Sequence, residues 1–189
     1  MPLVYQAVSW EHGVFLGASV KSEATAAAEH KGKQVMHDPF SMRPFFGYNF
    51  GDYLQHWLNM GKQLQKPPKF FMVNWFRKGQ NGGLLWPGFG DNIRVIQWIL
   101  GRCDGVIPAS GRPIGWVPTR EELDLLDIEG CEDIHELLST PTNFWREEVE
   151  SMKTYFTQQI SDSLPAEMWQ QLNNLERRIS LFEDYAEEE

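Results

Sequence analysis

Cysteine is scarce. Cys103 and Cys131 are the only two in 189 residues. Two thiols cannot build a disulfide framework or a four-cysteine metal site. Free thiols in a reducing compartment are the simplest reading. Long apolar runs are absent too, and nothing approaches the ~18 uncharged apolar residues of a membrane span. No charged segment followed by an apolar one opens the chain, so no secretory signal is expected. His12, His30, His37, His56 and His135 show no zinc-site spacing, and HExxH, GxxxxGK[ST] and GxSxG strings are all missing. No metal ligands and no complete active site are expected.

What is present is apolar and aromatic. The chain is 42% hydrophobic and 13% aromatic, too much for a disordered polymer. Its length suits about one domain and can bury a real core. The formal net charge of −9 hides a division. Residues 1–120 hold 13 Lys+Arg against 7 Asp+Glu, or +6, and residues 121–189 hold 4 against 19, or −15. Of the 25 aromatics, 18 fall in the first 120 residues. A basic, aromatic segment suits a phosphate-bearing ligand with a flat base. The alternative is that segment charge varies by chance and the acidic end is a solvated helical face.

The expected organisation is mixed α/β. Leu3–Val8 and Val14–Val20 read as strands, and propensity makes Ser22–His30 a helix with Ser22 as its N-cap. Residues 37–50 read as a packed irregular segment, Tyr53–Met60 as a short helix, and Phe70–Phe76 as a strand. A glycine-rich loop covers 77–92, and Asp91 or Asn92 caps a helix over Ile93–Arg102. Pro108, Pro113 and Pro118 suggest an extended linker. The acidic third reads as three helices, Arg120–Leu126, Thr142–Ser163 and Pro165–Tyr185, with the middle one longest.

The best local signal for chemistry is Asn74-Trp75-Phe76 followed by Leu84-Leu85-Trp86-Pro87-Gly88-Phe89-Gly90-Asp91-Asn92. Glycines let backbone approach a ligand closely. Aromatic faces can sandwich a base, at ~1–3 kcal/mol per stacked base. An asparagine amide both donates and accepts, so it can read a base edge. The competing reading is that these aromatics are core residues around a hairpin.

Several strings together carry a resemblance: Pro2-Leu3-Val4-Tyr5, His12-Gly13-Val14-Phe15, Ser22 to Lys33, His37-Asp38-Pro39-Phe40, Met42 to Phe50, Asn74 to Lys78, and Trp86-Pro87-Gly88-Phe89-Gly90. The chain resembles the C-terminal part, about the last third, of a GTP-dependent phosphoenolpyruvate carboxykinase. The likeness is dense to about residue 120 and thins beyond it. It implies an enzyme that interconverts oxaloacetate plus GTP with phosphoenolpyruvate, carbon dioxide and GDP, in gluconeogenesis. It implies part of that enzyme's nucleotide-binding domain, with a partial α/β core over 1–120 and an acidic helical segment over 121–189.

The resemblance also assigns residues. Phe76 and Phe89 match aromatics that flank guanine, and Asn92 matches the residue whose amide reads the base edge. Phe89, Gly90, Asp91 and Asn92 thus form the base contact within the loop 74–92. Residues 22–33 match an Ω-loop lid, with Ala27 and His30 among its residues, which replaces the helix expected there. Leu84 stands where the family usually has a third guanine-packing Phe, and Lys21 where Arg is common. The family's phosphate loop, substrate arginines and Mn²⁺ and Mg²⁺ ligands lie upstream of the matched region. The expectation is therefore a fragment that does not turn over alone and folds marginally. The alternatives are a non-catalytic guanine-nucleotide-binding fragment or an acidic helical interaction module. In the main reading the acidic third is outer helical packing, distant from the nucleotide. The full enzyme is expected to be a cytoplasmic monomer, with a mitochondrial form as the alternative, and without nucleic-acid or membrane partners.

Overall fold

Val4, Tyr5 and Gln6 are buried and form β1 (Val4–Gln6), the centre of a small sheet. The computed structural model describes residues 1–23, 35–125, 128–131 and 133–187. β4 (Phe71–Val73) pairs with β1 in the register Val4↔Val73, Tyr5↔Met72 and Gln6↔Phe71. On the other edge Gln6 faces Trp116 of β6 (Gly115–Val117), which pairs in turn with β5 (Ser110–Arg112). The strand order is β4-β1-β6-β5, all antiparallel. The fold class is mixed α/β, as expected.

The chain divides into two units. The first comprises residues 1–8, 69–145 and 177–189, and the second 9–68 and 146–176. In the first, α3 (Asn92–Asp104) packs Val95 and Trp98 into a core with Leu3, Val4, Trp86, Leu123 and Leu137. Gly105 ends α3 in the left-handed region at φ +74, where a side chain would strain the backbone. Cys131 is buried and Cys103 exposed, both as free thiols.

In the second unit, α1 (Trp10–Ala18) packs on α2 (Phe50–Gln63). The Trp10 indole N–H donates to the Trp57 carbonyl at 2.8 Å. Leu54 and Leu58, one turn apart on α2, are buried, as the helical spacing requires. Phe40, Phe46, Phe50, Tyr53 and Trp57 form an edge-to-face and stacked aromatic cluster. β2 (Lys21–Glu23) and β3 (Val35–His37) make a two-stranded ribbon, in the register Lys21↔His37 to Glu23↔Val35. Helix α5 (Thr142–Tyr155) begins in the first unit and runs into the second, and α6 (Ala166–Glu187) runs the other way.

Five sequence expectations are corrected. Val14–Val20 is not a strand, because α1 extends over Trp10–Ala18. Ser9 caps it, accepting from the His12 N–H at 3.1 Å, and Trp10, Val14, Phe15 and Ala18 are buried on helical spacing. Ser22 caps no helix. It lies in β2, and its hydroxyl donates to Asp38 Oδ2 at 2.8 Å. The supposed linker is the β5–β6 hairpin, turning at Pro113-Ile114, and β6 opens on Gly115 at φ +139. A Cβ there would meet the Gln6 carbonyl, so glycine admits the neighbouring strand.

Residues 121–124 form turns rather than a helix, with Asp124 at φ +49. The helix of that region is instead α4 (Ile134–Leu138), where Asp133 accepts from the Glu136 N–H at 2.7 Å. The Asp133-x-x-Glu136 pattern was a legible start signal. Finally, α5 stops at Tyr155. It passes into a wide turn at Phe156–Ile160 and a tight one at Ser161–Ser163, so α6 is the longest helix.

Candidate functional site

The site is built on the segment between β4 and α3. After β4 the chain turns back on itself. Lys78 bridges Leu84, the Leu85 N–H donates to the Arg77 carbonyl at 2.9 Å, and the Gly79 N–H to the Gly83 carbonyl at 2.9 Å. Gly82, at φ +79, makes the tip. The loop then re-enters the core at Trp86, only 1% exposed, and leaves it again through Pro87-Gly88-Phe89-Gly90.

This second excursion is clamped. The N–H groups of Asp91 and Asn92 both donate to the Gly88 carbonyl, at 3.1 and 3.2 Å. Gly88 and Gly90 take φ of +93 and +105, which lets the chain reverse around Phe89. Across the base of the loop the Trp86 indole N–H donates to Asn92 Oδ1 at 2.7 Å. The Asp91 carboxylate caps nothing and instead pairs with the Arg94 side chain at 3.0 Å. Arg94 also reaches the Asp124 carbonyl.

The loop holds one aromatic ring entirely in solvent. Phe89 is fully exposed and Phe76 is 73% exposed. Among the described residues, neither ring touches another ring. Leu84 is half exposed. The core reading of these aromatics therefore fits Trp86 and not Phe76 or Phe89. Of the residues that the sequence singled out, the structure joins Asn92 to Trp86 and Gly88, and Asp91 to Arg94. Ala27 and His30 lie outside the described residues. The residues on either side of 24–34 are described, in β2 and β3. There Lys21 holds both carboxylate oxygens of Glu148, at 2.8 and 2.7 Å.

The acidic third does not stand apart from this loop. The Arg77 guanidinium donates to the Leu137 and Ser139 carbonyls and to the Ser139 hydroxyl. Asp133 and Glu136 line a cavity of about 470 Å³ together with Gly79, Asn81 and Leu84. A larger cavity, about 610 Å³, lies between the β5–β6 hairpin, α4 and the end of α6, and none of its lining residues belongs to 74–92. Among the described residues, no three His, Cys, Asp or Glu side chains stand together to hold a metal ion. No described helix is long and apolar enough to cross a membrane.

Comparison with known proteins places this arrangement. A family profile described as the phosphoenolpyruvate carboxykinase C-terminal P-loop domain matches residues 1–178. The chain is 52% identical over 180 residues to the mitochondrial phosphoenolpyruvate carboxykinase [GTP] of Homo sapiens. That match covers 95% of this chain and 28% of the relative. It is 53% identical over 181 residues to the cytosolic enzyme of Bos taurus, covering 95% and 29%. The Ascaris suum enzyme is 49% identical over 187 residues, covering 97% and 29%. The chain thus spans under a third of the length of these relatives.

Proposed function

The chain belongs to the GTP-dependent phosphoenolpyruvate carboxykinase family, matching its C-terminal P-loop domain, and from that premise we propose that it supplies the guanine-recognition loop and substrate lid of such an enzyme. The reaction is the interconversion of oxaloacetate plus GTP with phosphoenolpyruvate, carbon dioxide and GDP. The observation that carries this reading is Phe89, a fully exposed ring on a loop whose base is tied to the core. A bare phenyl group in water gains when a flat base covers it, and the loop's closure means little ordering entropy is lost on binding.

Each residue then has a part. Phe76 and Phe89 supply the apolar faces for guanine. Asn92 supplies the hydrogen bond to the base edge. Gly90 allows the sharp return of the chain, and Asp91 steadies Arg94 at the first turn of α3. The lid, 22–33, closes over bound substrate, with His30 helping to hold it shut. Closure excludes water from the reactive enolate, whose premature protonation would waste the substrate. GTP or GDP fits the donor and aromatic groups present. Mn²⁺ and Mg²⁺ do not find a ligand set among the described residues. No GxxxxGK[ST] loop occurs in the 189 residues, so guanine binding without turnover is expected of them alone. The parent enzyme is read as a cytoplasmic monomer, with a mitochondrial form as the alternative, since its relatives include both cytosolic and mitochondrial enzymes.

Calorimetric titration of the chain with GDP and with ADP tests the reading. GDP is expected to bind more tightly, and Phe89→Ala to weaken it by ~5- to 150-fold, the equivalent of ~1–3 kcal/mol of stacking. Phe89 is fully exposed, so the melting temperature of the variant should match that of the parent. Equal heats with GDP and ADP would sink the guanine assignment.

A further inference from the structure

We propose that Trp86 is a positioning residue that sets base selectivity by fixing which way the Asn92 amide faces. The inference rests on the guanine reading above and goes beyond it. An asparagine amide has two ends, an acceptor oxygen and a donor nitrogen, which look nearly alike by shape. An indole N–H can only donate. At 2.7 Å from Trp86 Nε1, the Asn92 atom must be Oδ1. The amide cannot turn over without placing its NH₂ against the indole N–H, donor against donor.

Trp86 is an unyielding partner. It is 1% exposed and packs with Leu3, Val4, Val95 and Trp98. The backbone of Asn92 is pinned as well, through its N–H to the Gly88 carbonyl at 3.2 Å. The amide is therefore held with its oxygen spent on the core side and its Nδ2 hydrogens left to donate. None of the hydrogen bonds among the described residues uses Nδ2.

A fixed donor discriminates between purines at one position. Guanine and hypoxanthine carry a carbonyl acceptor at C6, and adenine carries an amino donor there. The locked amide serves the first two and opposes the third. Rejection of a mismatched polar group is stronger than the bond to the matched one is worth, because both donors lose water without gaining a partner. Exposed aromatic rings alone would stack on any base. In this site the stacking residues supply affinity, and the Trp86–Asn92 pair supplies the choice of base.

The test is calorimetric titration with GDP, IDP and ADP on three proteins. In the parent chain, IDP should bind nearly as well as GDP, and ADP at least about tenfold more weakly. Trp86→Phe keeps an aromatic ring in the core and removes the N–H. The freed amide can then turn its oxygen toward adenine, and the GDP:ADP preference should collapse by about tenfold. Asn92→Asp is the second variant and leaves the core intact. One carboxylate oxygen still accepts from Trp86, and the other presents an acceptor outward, so preference should invert toward ADP.

Retention of the parent's GDP:ADP ratio in a folded Trp86→Phe protein would overturn the proposal. If Trp86→Phe does not fold, Asn92→Asp decides, and an undiminished GDP preference there would overturn it. A parent chain that binds GDP and ADP alike would instead remove the guanine reading on which the proposal rests. Tight GDP binding with rejection of IDP would leave guanine recognition standing and reject a carbonyl-directed Asn92.

Discussion

The Arg77 guanidinium grips Ser139 at two atoms, donating to its carbonyl oxygen at 2.8 Å and its hydroxyl at 2.6 Å. A third bond reaches the Leu137 carbonyl at 3.2 Å. These carbonyls close α4, so one side chain from the glycine-rich loop caps a helix of the acidic third. Arg77→Met should lower stability by ~1.5–3 kcal/mol, the range for hydrogen bonds to a charged group. Arg77→Lys should recover only part of it, since one ammonium lacks the planar fork. Urea unfolding midpoints measure both, and a Met variant as stable as the parent would count against the contact.

Gly51 offers a reversal of the usual rule. Replacing glycine by alanine inside a helix normally stabilises it by ~0.5–1 kcal/mol. Here a Cβ on Gly51 would run into the backbone carbonyl of Ser163, which cannot yield as a flexible side chain could. Gly51→Ala should therefore destabilise the chain, by ~1–3 kcal/mol for overpacking. A rise in melting temperature would refute the close approach.

Leu84 marks the aliphatic wall of the proposed base site. It is half exposed and held opposite Lys78. Leu84→Phe adds an aromatic face at little structural cost, and GDP should bind ~2- to 10-fold more tightly, from ~0.5–1.5 kcal/mol of added aromatic contact. Unchanged GDP affinity in the folded variant would remove Leu84 from the site.

His37 predicts a pH dependence. Its ring stacks on Tyr155 at 4.3 Å and its Nε2 lies 3.1 Å from the Ser151 hydroxyl. Burial lowers its pKa below the usual 6.5, helped by Lys21 and Arg43 and opposed by Glu148 and the Ser151 hydrogen bond. The unfolded chain then binds the proton more readily than the folded one. Stability should be full above about pH 6.5 and fall as pH drops from there toward the folded value. Denaturation at pH 7.5 and 5.5, with His37→Gln as control, reads this term. A loss on acidification as large in His37→Gln as in the parent would assign it elsewhere.

Local chemistry made some elements legible. α2 showed its buried stripe at Leu54 and Leu58, and α3 lay between a glycine-rich loop and Gly105. Other elements were not. Val14–Val20 is a short apolar run, and such runs look alike whether they become buried strand or buried helix. The Ser9 cap and the neighbouring α2 decided for helix. Pro108, Pro113 and Pro118 disguised a hairpin, because prolines before its first strand, in its turn and after its second strand leave the ladder intact. The site was similarly divided. Phe76, Phe89 and Asn92 stood out through the family resemblance, whereas local sequence treated Trp75, Phe76, Trp86 and Phe89 alike.

The amino-acid sequence by itself determined the family, the mixed α/β class, and the glycine-rich loop that carries the proposed base-binding groups. Those follow from residue identity and short-range order. Tertiary structure alone decided that Phe89 stands bare, that Arg77 caps α4 some sixty residues away, and that Asn92 turns its oxygen to Trp86. Exposure and amide orientation belong to the surroundings of a side chain, and those surroundings exist only once distant segments have packed.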